Sequence, residues 1–262
     1  MATAPKCELY NDNFQNYKRY QIPKKAQIVI ADIPYNLGSS AYGSSPERYI
    51  GRDKRNGESD KAGKAFFRTD YSFNIAEFFH FCNRLLKKEP NERNTAPCMI
   101  VFCAYQQQQT VIRYAEKYGF KHYIPLVFIK PSSPQALKAN MRICGATEYA
   151  LVLYRDKLPK FRNGGNMVLN WFWWEKDRNI PKIHPTQKPV AVLKKLISIF
   201  TDQDDVVIDP CAGSGSTLRA AYELGRDSYG FEIDRLLVKR ANAEMLLGMA
   251  MHTEMEQTSL FT

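Results

Sequence analysis

The sequence predicts an α/β protein, a mostly parallel sheet covered by helices on both faces. Three observations carry this. Short apolar runs rich in β-branched residues alternate with amphipathic stretches along much of the 262-residue chain. Several of those runs end on a polar residue followed by turn chemistry, as strands feeding a ligand-binding edge do. A glycine loop, Gly213-Ser-Gly215, lies between a predicted strand and a predicted helix near the C-terminus.

Taken in order, Gln27–Ala31 (QIVIA) reads as a buried strand that ends at Asp32. From Gly38 to about Asp70 the chain is polar and without period, a long loop inserted in the domain. Ile75, Phe78, Phe79, Cys82 and Leu86 recur at helical spacing. Cys98–Ala104 is a second buried strand, and Gln106–Tyr118 a helix stopped by Gly119. His122–Lys130 and Thr147–Tyr154 are strands separated by a loop that carries Lys138 and Arg142. Residues 155–183 are irregular, basic and aromatic. A helix over Val190–Phe200, a strand over Val206–Asp209, a helix over Ser216–Leu224, a strand over Ser228–Glu232 and a terminal helix from Asp234 complete the order. The whole reads as one domain over residues 1–262, with a flexible tail over 251–262.

The net charge of +10 favours a polyanionic partner, because lysine and arginine on phosphates release counterions. The six cysteines are scattered with no close pair, so they read as reduced structural thiols, and no metal is expected. No apolar run approaches the roughly 18 residues of a membrane span. Met1–Tyr10 lacks the apolar core of a signal peptide, so the expected location is the cytoplasm.

The segment Asp209-Pro210-Cys-Ala212-Gly213-Ser214-Gly215-Ser216-Thr217 brings a carboxylate, two glycines and a helix start together. Glycines let backbone approach a ligand closely, and the helix start offers unpaired N–H groups. Glu232 ends the next strand about 20 residues on, where an acid receives ribose hydroxyls in nucleoside-binding α/β folds. A dinucleotide site would want a third glycine at 218, where this chain has Leu218. Asp209 sits badly against a pyrophosphate and suits a cationic sulfonium amino acid. The alternative is a tight turn that packs and binds nothing. Too few strands follow the loop to complete a nucleotide fold, so the cofactor half comes last, a permuted order.

Asp32-Ile33-Pro34-Tyr35 follows the first strand directly. A ring-conjugated amine is a poor nucleophile because its lone pair is delocalised. Acceptors on its hydrogens, Asp32 and the Ile33 carbonyl, pull the nitrogen toward tetrahedral geometry. Tyr35 can stack on the base for about 1–3 kcal/mol and offset part of the cost of extruding it. Taken alone these four residues also read as a turn after a strand.

Asp32 to Tyr35, then His184-Pro-Thr186-Gln-Lys188-Pro189, then Asp209 to Thr217 and Gly230-Phe-Glu232-Ile-Asp234 together resemble the amino-DNA methyltransferases of the permuted β class. Tyr10–Phe14 and Glu148–Tyr154 resemble further segments of that family, so the likeness runs through most of the chain. It implies a Rossmann-like, seven-stranded, circularly permuted methyltransferase fold with S-adenosylmethionine as cofactor. Asp32, Ile33, Pro34 and Tyr35 would hold the target base. Asp209, Pro210, Ala212, Gly213, Ser214, Gly215 and Ser216 would wall the cofactor, and Glu232 would take its ribose. His184, Thr186 and Lys188 would close over it, and Asp12 would contact its adenine. Asp at 32 tilts the target toward adenine N6 over cytosine N4. The family usually has proline where this chain has Ile33.

Double-stranded DNA is the expected partner. Its phosphates and bases would meet Lys138, Arg142, Lys160, Arg162, Trp171 and Arg178. The rings of residues 171–174 either serve that surface or cap a core. The segment is short for a recognition domain, which leaves a homodimer open. Gln257, Leu260 and Phe261 resemble a peptide that docks in a sliding clamp, against the plainer reading of a frayed terminus. The rivals are a dinucleotide-dependent oxidoreductase, a catalytically dead DNA-binding module, and a methyltransferase of RNA or protein.

Overall fold

The computed structural model describes residues 4–20, 22, 25–35, 73–131, 136–138 and 143–249. The 38–70 loop, Arg142 and the tail with Gln257, Leu260 and Phe261 lie outside the described residues.

Eight strands form one sheet: β1 (Cys7–Tyr10), β2 (Ile28–Asp32), β3 (Cys98–Phe102), β4 (His122–Ile129), β7 (Thr147–Tyr154), β8 (Trp171–Trp173), β9 (Val206–Asp209) and β10 (Asp227–Phe231). Their order across the sheet is β1-β10-β9-β2-β3-β7-β4-β8. Only β7 runs against its neighbours; every other pairing in that sheet is parallel. A separate two-stranded ribbon joins β5 (Ala136–Lys138) to β6 (Ile143–Cys144), and the expected DNA ligand Lys138 ends its first strand.

The mostly parallel sheet is as expected, but it has eight strands rather than seven. β1 and β8 are the strands that the sequence did not announce, and both are short edge strands. Their few residues carry too little pattern to be read locally. Hydrogen bonds to β10 and β4, far away in the chain, define them.

The central strands β2, β3 and β9 are apolar up to the terminal aspartates of β2 and β9 because both of their faces are covered. Ile28 and Ile30 point into one core with α3 (Val190–Phe200) and α4 (Ser216–Glu223). Val29 and Ala31 point into the other with α1 (Ile75–Leu85) and α2 (Gln108–Lys117). Met99 and Val101 alternate with Ile100 and Phe102 in the same way. Each such Val, Leu, Ile or Phe contributes about 1.5–3 kcal/mol when fully buried. The Asn74 side chain caps α1, accepting from the N–H groups of Ala76 and Glu77. Asp234 does the same for α5 (Arg235–Arg240). No helix among the described residues is long and apolar enough to cross a membrane.

Candidate active site

β2 and β9 are adjacent and parallel, with Val29 opposite Ile208. Asp32 and Asp209 therefore emerge at the same end of the sheet, and the charge of Asp32 adds to the cost of ionising Asp209. The two motifs meet at one edge, as ligands in open α/β sheets require.

On the β9 side the loop is tightly turned. Gly213 and Gly215 have φ of +52° and +78°, a region that favours glycine. The Gly213 N–H donates to Glu232 Oε2 at 2.9 Å, and the Asp234 N–H donates to Oε1 at 2.8 Å. Glu232 thus ties the loop to the end of β10, and burial lifts its pKa. Asp209 is 3% exposed, and its Oδ1 accepts from the Cys211 N–H at 3.0 Å. Burial outweighs its hydrogen bonds to Thr217 and Cys211 and pushes its pKa up to about 7. Ser214 and Ser216 share a hydrogen bond of 2.9 Å beside it, and Ala212 is buried under the loop. Pro210 stands directly after Asp209.

On the β2 side Lys188 Nζ lies 2.5 Å from Asp32 Oδ2. The other oxygen, Oδ1, is buried with no hydrogen-bond partner among the described residues. Burial raises the Asp32 pKa even though Lys188 opposes it. Tyr35 donates its hydroxyl to Glu148 Oε2 at 2.6 Å, and Lys130 Nζ stands 2.5 Å from Glu148 Oε1. Burial acts to raise the Glu148 pKa, but Lys188, Lys130 and the Tyr35 hydroxyl carry it down to about 2. Gln107 clamps the turn, donating to the Pro34 carbonyl at 2.9 Å and accepting from the Ala104 N–H at 3.0 Å.

Ile33 is buried, and its N–H donates to the Phe102 carbonyl at 3.2 Å. Proline at this position has no N–H and would forfeit that bond. The departure from the family pattern therefore extends the β2–β3 ladder by one bond.

The other predicted residues divide. His184 Nδ1 lies 3.0 Å from the Thr186 hydroxyl, and burial lowers its pKa. Gln187 braces that loop, accepting from the Ile183 N–H and donating to the Pro181 carbonyl. Lys188 gives its ammonium to the carboxylates of the base side, away from the cofactor role expected of it. Asp12 is spent on its own loop, accepting from the Asn13 N–H, Asn16 and Tyr20 and pairing with Arg19. Lys160 requires a correction. It is buried with Nζ 2.6 Å from Asp205 and 2.8 Å from Asp202, so it is a structural ion-pair residue, unavailable to phosphate. Arg162 is paired with Asp202 through two nitrogens, though its side chain stays half exposed.

The ring quartet follows the strand period. Phe172 and Trp174 pack on the core beside Phe128, while Trp171 and Trp173 are exposed on the sheet edge. Two of the four rings thus cap a core, and the other two stand open on the surface. Trp173 and Arg178 line an open cleft together with Lys176, Asp177 and Lys194. Glu148, Lys130 and Gln107 escaped the sequence as site residues. The sequence marks Glu148 only as part of a strand segment resembling the family, and Lys130 and Gln107 carry no local signature.

The DNA methylase family model (N6/N4) matches residues 26–243. A curated relative, the DNA adenine methyltransferase YhdJ of Escherichia coli, is 25% identical over 257 residues, covering 89% of this chain and 80% of its own. Among solved structures, the M1.HpyAVI–SAM complex superposes with a TM-score of 0.63 at 22% identity, covering 89% of this chain and 96% of the other. The cytosine-N4-specific PvuII DNA methyltransferase gives 0.61 at 17%, covering 91% and 89%. These two share the fold. With the aspartate turn and the glycine loop at one sheet edge and a family match across both, the chain belongs to the N6/N4 DNA methylases.

Proposed function

We propose that this protein methylates the N6 amine of adenine in double-stranded DNA, acting on a base taken out of the helix. Its methyl donor is S-adenosylmethionine, which supplies an electrophilic methyl group on a cationic sulfur. The residues present fit that molecule. Gly213 leaves backbone without Cβ facing open space for a ligand, while Gly215 packs against Leu246 and lets the chain turn. Asp209, buried and pushed up to about 7, gains from a neighbouring cation. Glu232 presents acceptors for ribose hydroxyls, with Asp12, His184 and Thr186 around the rim and Pro210, Ala212, Ser214 and Ser216 in the wall.

One observation carries the base side: the unpartnered, buried Asp32 Oδ1. A buried acceptor left unsatisfied costs about 1–3 kcal/mol, and a donor brought by the substrate removes that cost. Asp32 Oδ1 takes one amine hydrogen and the Ile33 carbonyl the other, which localises the nitrogen lone pair. Tyr35 stacks on the base. S-adenosylmethionine bound at the glycine loop would supply the methyl group to that lone pair and depart as the neutral thioether, and Asp32 Oδ1 is the acceptor for the proton the amine gives up. Orientation of the two reactants supplies much of the acceleration.

Aspartate at 32 and the 25% identity to an adenine methyltransferase support N6 over cytosine N4. The DNA face is read by exposed Trp171 and Arg178, with Arg162, Lys138 and Arg142 on phosphates. The cofactor half coming last in the chain is the permuted order of the resemblance.

Incubation with labelled S-adenosylmethionine and mixed-sequence DNA, followed by nucleoside mass spectrometry, tests this. N6-methyladenine is expected. N4-methylcytosine would overturn the choice of base, and no methylated nucleoside would overturn the activity.

A further inference from the structure

Beneath the base side lie four charges, of which the reading above uses one. Asp32 comes from β2, Glu148 from β7, Lys130 from the end of β4 and Lys188 from just ahead of α3. Lys188 Nζ is 2.5 Å from Asp32 Oδ2 and 3.8 Å from Glu148 Oε2. Lys130 Nζ is 2.5 Å from Glu148 Oε1. Two cations and two anions balance, and the rings of Phe102, Tyr35 and Trp174 stand 5.3, 5.7 and 5.8 Å from the Lys188 ammonium. Such a largely buried, aromatic surround strengthens the charge–charge contacts inside it.

We propose that Lys188 and Glu148 are positioning residues for methyl transfer: Lys188 holds Asp32 by Oδ2 and leaves Oδ1 to the amine, and Glu148 holds Tyr35 by its hydroxyl. This rests on the methyltransferase reading.

A carboxylate has two equivalent oxygens and turns freely unless one is tied. The short contact to Lys188 makes them inequivalent, and the untied one is the orphan. A protonated Asp32 would present a donor to the amine and lose its use. Burial pushes it that way, and Lys188 is the strongest influence against. The other titratable groups near Asp32 are Glu148, Lys130, Tyr35, Cys103, Asp209 and Cys211. Of these only Lys130 is also cationic, and it is engaged by Glu148. Glu148, ionised at neutral pH, is an acceptor only, so the Tyr35 hydroxyl must donate to it, and that bond fixes the ring that meets the base.

The test has two arms. In ¹³C NMR of the aspartate carboxyls, with Asp32 assigned through Asp32→Asn, Lys188→Met raises the Asp32 midpoint by about one pH unit or more. Lys188→Arg, which keeps the charge, brings the midpoint back toward the native value. An unmoved midpoint in the Met variant, or the same midpoint in Arg and Met, overturns the assignment of Lys188. This arm needs no activity, so it stands apart from the methyltransferase reading. In the second arm, with S-adenosylmethionine and DNA, Lys188→Met and Glu148→Gln each lower kcat about 10²-fold, as a small misplacement of reacting groups does. The KM for cofactor stays near native, and the acidic limb of kcat moves up with the Asp32 midpoint in Lys188→Met. Native kcat and an unshifted limb overturn the proposal. A native enzyme that methylates nothing overturns the methyltransferase reading, while the NMR arm still decides the Lys188–Asp32 tie.

Discussion

Two buried clusters of lysine and aspartate sit at opposite ends of the same strands, and their difference separates structure from chemistry. At the end where β9 begins, Asp205 receives Lys87 at 2.7 Å on one oxygen, and Lys160 at 2.6 Å and the Asp202 N–H at 2.8 Å on the other. Lys87 also reaches Gln27, just ahead of β2, at 3.1 Å. At the end where β2 finishes, Asp32 receives Lys188 on one oxygen and nothing on the other. The residue types match and the accounting differs. A saturated network stiffens the junction of β2, β9 and the 158–160 segment, whereas an unsaturated one keeps a place for a donor from outside.

The sharpest way to break this contrast is to cut each cluster at its aspartate. Asp32→Ala is expected to lower methyl transfer about 10³-fold or more while S-adenosylmethionine binding by calorimetry stays near native. Asp205→Ala leaves buried Lys160 with Asp202 alone and takes the carboxylate from part-exposed Lys87, and is expected to cost about 1–3 kcal/mol in urea unfolding, with activity per folded molecule retained. Equal losses of stability in both variants would erase the distinction.

The next effect is a pH dependence of opposite sign at the two ends. Asp205 is held below its ordinary value: burial opposes, but Lys160 and Lys87 prevail. Its stabilisation is present above that ordinary value and is lost as pH falls through the depressed one. Asp209 is pushed up by burial, so the favourable term from its protonated form is full at low pH and is lost as pH rises from about 4 toward 7. Without cofactor, Asp209→Asn is therefore expected to gain on the native protein by about 3 kcal/mol between those limits, read by chemical unfolding at each pH. It should also bind S-adenosylmethionine more weakly above pH 7, where the native carboxylate is charged.

A smaller effect tests the loop. A Cβ on Gly230 would lie 2.8 Å from Ala212 Cβ and from Leu218 Cδ1. Gly230→Ala is expected to destabilise by about 1–3 kcal/mol and to weaken cofactor binding, because Ala212 belongs to the binding turn. The smallest effect is at Ile33. Ile33→Pro removes the N–H bond to Phe102 at a cost of about 1 kcal/mol, beyond any repacking, and leaves methyl transfer within a few-fold of native.

Much of this arrangement was legible because it rests on local pattern. Ile28–Asp32, Thr147–Tyr154, Val190–Phe200 and Val206–Asp209 declare themselves through apolar runs or helical period, and Asp32, Gly213 and Glu232 through their places at strand ends. What escaped depends on partners far along the chain. Glu148 meets Tyr35 across 113 positions, and Lys188 meets Asp32 across 156. Lys160 looked like a phosphate ligand because its neighbours are basic, and its aspartates lie more than forty positions away. Charge composition shows how many cations a segment holds and not which of them are already neutralised.

The start of α3 hangs on a carboxylate from outside the helix. Asp177 accepts from the N–H groups of Val190 and Ala191 at 2.8 and 3.1 Å. It also sits between Trp173, exposed on the sheet edge, and Arg178, and Pro189 alone separates Lys188 from Val190. The stretch that faces outward and the loop that grips Asp32 are therefore strung on a single short tether. On the proposed DNA face, a duplex resting on Arg178 would act through Asp177 on the peptide groups next to those that seat Lys188, joining contact at the rim to alignment at the centre.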